Sequence, residues 1–191
     1  MTAAMLAAGA LTGCGGGTHT SHTSTHADTT TASYATLVGA GASLLARGDT
    51  NAAAQLFHQA IAKDPTLAVA YYDLGVVDQQ LGDRPSALHQ YDLALVRDRS
   101  YTPALYNEAV LYAAHDAPLA IFYYRQVIRL KPDSPTALLN LGLLENLKKP
   151  TRPLAVRDLR RALALDPALG KQLPDAVLSE VQHYRGKLPP L

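Results

Sequence analysis

Tryptophan is absent from this 191-residue chain, cysteine occurs once, and Phe57 and Phe122 are the only phenylalanines. A single cysteine excludes an internal disulfide. Charged residues make up 17% of the chain and the net charge is +1, so no strong field favours nucleic acid, and no acidic tail is present. The apolar stretch Thr2 to Leu11 is too short to span a bilayer as a helix. The H-E-x-x-H, P-loop, G-x-G-x-x-G and G-x-S-x-G patterns are also missing. Gly39-Ala40-Gly41 falls inside an expected helix and is no phosphate loop. His58, His89 and His115 are expected far apart on outer faces or in a turn, and Asp64 and Asp98 at repeat ends. No nucleophile, base and orienting group come together, so neither catalysis nor a cofactor is expected.

What is present is alanine, with regularly placed proline and glycine, in a chain that is 48% hydrophobic. That composition suggests helices packed closely at small residues.

The N-terminal segment has a different character. Leu11-Thr12-Gly13-Cys14 ends the apolar run and resembles a bacterial lipobox, in which the cysteine is lipidated and becomes the new N-terminus. The resemblance implies a lipoprotein signal peptide over 1–13 and a lipid anchor on Cys14. Signal peptides normally begin with positive charge. No Lys or Arg lies between Met1 and Leu11, so either the true start is expected upstream or the N-terminus is expected to be trimmed. The Gly/Thr/Ser/His-rich stretch 14–33 has no periodicity and nothing to bury, and is expected to be a disordered tether. About 18 flexible residues reach roughly 20–25 Å. His19, His22 and His26 have spacings compatible with a metal, but a disordered strand offers no second shell to orient ligands, and no metal is expected.

From Tyr34 onward the chain repeats. Ala53, Ala87, Ala120 and Ala155 are spaced by 34, 33 and 35 residues. Four residues after each stand Phe57, Tyr91, Tyr124 and Leu159, and three further on Ala60, Ala94, Val127 and Ala162. Pro65, Arg99, Pro132 and Pro167 close the units. About thirteen residues before each alanine come Ala40-Gly41, Leu74-Gly75, Glu108-Ala109 and Leu141-Gly142, and before those Leu37, Tyr71, Leu105 and Leu138. Apolar residues recur at helical spacing, as in Leu74, Val77 and Leu81. Gly48-Asp49, Gly82-Asp83, Asp116 and Lys149-Pro150 mark turns. Pro85, Pro118 and Pro153 fall in the first turn of each following helix, where the missing N–H is harmless. Helix pairs are expected at 34–47 with 50–63, 68–81 with 84–97, 102–114 with 117–130 and 135–148 with 152–165. The small residues Gly41, Gly75, Ala109 and Gly142 are expected to face the four alanines. A last helix at 174–185 is expected to cap the end, burying Val177, Leu178 and Val181 behind Asp175, Glu180, Gln182 and Lys187.

These columns resemble the tetratricopeptide repeat, with its period of 34 residues. The resemblance covers 34–169, as repeats 34–67, 68–101, 102–134 and 135–169, with 170–191 as capping helix and tail. It implies an all-α fold, a right-handed α-solenoid of about four helix-turn-helix units. It also implies a concave groove lined by the first helix of each pair. The residues presented there would be Val38, Ala42, Tyr72, Val76, Gln79, Tyr106, Asn107, Val110, Leu139, Asn140, Leu143 and Asn146, with Ala113 beside them. Tyr71, Tyr91, Tyr112 and Tyr124 are expected to serve packing. Family members that clamp a terminal carboxylate use several Lys and Arg in the groove. None stands at these positions, which suit a peptide with hydrophobic anchors.

The expected function is a lipid-anchored protein–protein interaction module, a scaffold or assembly factor at the extracytoplasmic face of a bacterial cell membrane. Its partners would be an unidentified protein or peptide and the membrane through Cys14, with no nucleic acid. The alternatives are a solute- or metal-capturing envelope lipoprotein and a cytosolic scaffold with a misassigned N-terminus.

Overall fold

A computed structural model describes residues 33–145 and 151–190. They form α1 (Tyr34–Ala46), α2 (Thr50–Lys63), α3 (Ala68–Gln80), α4 (Arg84–Arg97), α5 (Thr102–Ala113), α6 (Ala117–Leu130), α7 (Pro135–Glu145), α8 (Arg152–Leu165) and α9 (Asp175–His183). A 3₁₀ helix, Pro167–Gln172, precedes α9, and no strand occurs among the described residues. The four expected pairs are all present as antiparallel hairpins, stacked in chain order into an α-solenoid. The expected end of α7 at 148, and with it Asn146, lies outside the described residues, as do Cys14 and the three tether histidines.

Local chemistry sets the helix ends. Asp83 and Asp116 cap α4 and α6 by accepting from the backbone N–H of Ser86 at 3.1 Å and of Leu119 at 3.0 Å. Pro85, Pro118 and Pro153 occupy the first turns of α4, α6 and α8, and Pro103 does the same in α5. Gly48 and Gly82 have φ of +86° and +80°, which glycine tolerates best, and they close the first two hairpins. Between hairpins, Asp64 and Asp98 accept from the backbone N–H groups of Thr66 and Ser100 at 2.9 and 2.8 Å, tightening the turns.

The core is a chain of small and large partners. Ala53, Ala87, Ala120 and Ala155 are fully buried, as are Phe57, Tyr91 and Tyr124, with Leu159 nearly so. Gly41, Gly75 and Gly142 of the first helices also meet the large residue four positions after each alanine. A Cβ at Gly41 would lie 2.5 Å from the Phe57 ring, one at Gly75 2.5 Å from the Tyr91 ring, and one at Gly142 2.6 Å from Leu159 Cγ. The glycines are therefore seats for the large residue of the second helix. Gly142 also meets the alanine column, at the Ala155 carbonyl. Leu81 also departs from expectation: it is 59% exposed, because α3 ends at Gln80 and Leu81 turns out into the loop.

Arg97 ties hairpins together. Its guanidinium lies 4.2 Å from the centre of the Tyr71 ring, donates to the Tyr71 hydroxyl at 3.0 Å, and reaches the Pro65 carbonyl at 3.2 Å. At the other end, Leu169, Leu173 and Val181 close over Leu138, Leu139, Leu159 and Ala162, with Val177 and Leu178 partly buried beside them. Arg160 fixes this cover by donating to the Val181 and Tyr184 carbonyls at 2.8 and 3.0 Å. Glu180 also pairs with Arg152. Lys187, expected on the polar face of α9, lies beyond the end of that helix.

Candidate functional site

The first helices, α1, α3, α5 and α7, lie side by side, and their shared face is the candidate binding surface. Tyr72, Val76 and Gln79 on α3, and Tyr106, Asn107 and Val110 on α5, are each half-buried there. On α1, Val38 is half-buried and Ala42 exposed. On α7, Leu143 is half-buried, but Leu139 and Asn140 are only 2% exposed. The expectation that these two line the groove is corrected. The C-terminal segment covers Leu139, and Asn140 is enclosed by tyrosines. The open surface therefore runs over α1, α3 and α5 and closes at α7.

The amides are committed to the fold. Asn107 Nδ2 donates to the Tyr91 hydroxyl at 3.0 Å, and that hydroxyl donates to Gln79 Oε1 at 2.9 Å. Asn140 Nδ2 donates to the Tyr124 and Tyr106 hydroxyls at 3.0 and 3.1 Å. Each asparagine of a first helix thus holds the tyrosine hydroxyl of the preceding hairpin. Buried polar groups must find partners, and this pairing supplies them. Burial raises the pKa of Tyr72, Tyr91, Tyr106 and Tyr124, so the phenols stay protonated.

Tyrosine rings make up part of what stays accessible. The Tyr72 ring packs against Tyr91, with centroids 5.7 Å apart, and edge-on against Tyr101 at 5.5 Å. Tyr106 packs edge-on against Tyr124 at 5.7 Å. Tyr101 is a half-buried member of this surface that sequence reading missed. It lies between helices, outside the periodic pattern. Asp73 was missed as well, although it stands in the column of Asn107 and Asn140.

A second concavity, of about 270 Å³, lies between α6, α7 and α8, bordered by Ile128, Leu141 and Leu154. Its charges are paired: Arg125 with Glu145 at 2.7 Å, and Arg157 with Asp158 at 2.7 Å. Among the described residues, no three His, Cys, Asp or Glu side chains converge as a metal site. No helix among them is long and apolar enough to cross a membrane.

Comparison with known proteins agrees with this architecture. The tetratricopeptide repeat family profile matches residues 44–107. The photosystem I assembly protein Ycf3 of Cyanophora paradoxa is 36% identical over 90 residues, which are 44% of this chain and 51% of that protein. The chain thus spans about half the length of this curated relative. The crystal structure of MamA superposes with a TM-score of 0.62 at 26% identity, over 72% of this chain and 81% of that one. The first tetratricopeptide domain of Spaghetti (RPAP3), bound to the HSP90 peptide SRMEEVD, gives a TM-score of 0.56 at 21% identity. That match covers 60% of this chain and 91% of the other.

Proposed function

We propose that this chain is a non-enzymatic scaffold or assembly factor that holds a peptide or protein segment on the face of α1, α3 and α5. The observation that carries this reading is the half-exposed strip Tyr72, Val76, Tyr106 and Val110, whose neighbouring amides, Gln79, Asn107 and Asn140, already hydrogen-bond to tyrosine hydroxyls. Such a surface offers apolar anchoring with little competition from water. The peptide seated on the Spaghetti domain and the assembly role in the name of Ycf3 support the same reading. We further propose anchoring by lipid on Cys14 at the extracytoplasmic face of a bacterial membrane, on the strength of Leu11-Thr12-Gly13-Cys14. The division into signal peptide 1–13, tether 14–33, repeats 34–169 and cap 170–191 is part of this proposal.

The test is crosslinking and co-purification of the full chain from membranes, beside a Tyr72→Ala, Tyr106→Ala variant checked for helicity. A partner captured by the wild type and lost from the folded variant is the expected result. Equal capture by both would move binding off this face. Loss of membrane retention in Cys14→Ser is expected if the anchor is lipid, and unchanged retention would refute it.

A further inference from the structure

Asp73, Asn107 and Asn140 occupy the same position in three successive hairpins. In two of them the amide is satisfied by the tyrosine of the preceding hairpin, Tyr91 for Asn107 and Tyr124 for Asn140. The corresponding residue for Asp73 is Phe57, which has no hydroxyl. Asp73 also differs in kind, because an ionised carboxylate only accepts. Among the described residues, none hydrogen-bonds to it or pairs with it. It is half-buried on the accessible face beside Tyr72, and its charge is felt by the hydroxyls of Tyr72, Tyr91 and Tyr101. Burial alone pushes its carboxyl up to about 7, with no neighbouring cation to offset it. The groove positions around it carry no Lys or Arg.

We propose that Asp73, an unpaired half-buried carboxylate next to Tyr72 on this face, is the receptor for one basic side chain, lysine or arginine, of a peptide segment bound there. The inference rests on the binding function proposed above and names the chemistry of its partner. A desolvated carboxylate gives a cation a charge-assisted hydrogen bond. Charge complementarity thus selects the opposite kind of ligand to an acidic peptide such as SRMEEVD.

The experiment is selection of a displayed random nonapeptide library on the full chain and on Asp73→Asn. The variant is isosteric and copies the residue of the two neighbouring hairpins, and circular dichroism verifies its fold. Wild type is expected to enrich apolar peptides carrying Lys or Arg at one fixed position. The best of these should lose roughly 10–100-fold in affinity for Asp73→Asn, the weight of a charged hydrogen bond. Asp73→Lys should shift the preference at that position to Asp or Glu. Enrichment of apolar peptides without a basic position, or equal affinity for Asp73→Asn, would overturn this inference and leave the binding face standing. No enrichment by the wild type would overturn both.

Discussion

Glu108 stands where Leu74 and Leu141 stand in the neighbouring hairpins, and it is only 1% exposed. Neither carboxylate oxygen makes a well-formed hydrogen bond. Its polar surroundings are Asp92 of α4, Tyr112 of α5 and Tyr123 of α6, and none of them is a cation. Burial pushes its carboxyl up from 4.5 to about 8. The native chain therefore keeps a proton that the unfolded chain sheds near 4.5. The resulting stability is present in full below pH 4.5 and is lost as pH rises to about 8. Asp73 and Glu145, whose pKa values are also raised by burial, act in the same direction. Urea unfolding at pH 5 and pH 8 should show a smaller loss of stability for Glu108→Leu than for wild type. At pH 8 the variant should be more stable by about 1–3 kcal/mol, the usual cost of a buried unsatisfied polar group. Identical pH dependence in the two chains would contradict this account.

At the scale of the element, the hairpin is a socket. Tyr91 is held at its hydroxyl by Gln79 and Asn107, and its ring covers Gly75. A methyl at residue 75 meets a ring that cannot swing away. Gly75→Ala should therefore destabilise by about 1–3 kcal/mol through overpacking, although alanine is the better helix former. Thermal unfolding checks this, and Gly39→Ala is the control, since a Cβ there meets nothing within 4 Å. A stabilised Gly75→Ala would refute the socket. These elements were largely legible in the sequence. The 34-residue columns locate eight helices because each column is a packing position, and because Asp and Pro mark the starts. The seating of the large residue on each glycine was not legible, because spacing along the chain does not say which side chain a glycine meets first across the hairpin. The 3₁₀ helix was missed because PALGKQ is too short to show a period.

At the scale of the whole molecule, the C-terminal segment decides how far the binding face extends. Leu139 sits in the groove column but is buried, because residues 169–181 return over it. That return is long-range, so no local pattern in α7 announces it. The same reason hides the burial of Asn140, which depends on hydroxyls contributed by two other helices. Removing residues 170–191 should expose Leu138 and Leu139 and leave Arg160 without its two carbonyl partners. The truncated chain is expected to melt at lower temperature and to self-associate in sedimentation, as uncapped repeats do. A monomeric, equally stable product would show that the segment is no cap.

Each hairpin docks mainly on the one made just before it. The array can therefore assemble as it leaves the ribosome, one hairpin at a time, without waiting for distant sequence. The exception is α7, whose Leu138 and Leu139 stay uncovered until residues 169–181 emerge. For that interval of synthesis the nascent chain carries an apolar surface longer than the finished protein ever shows.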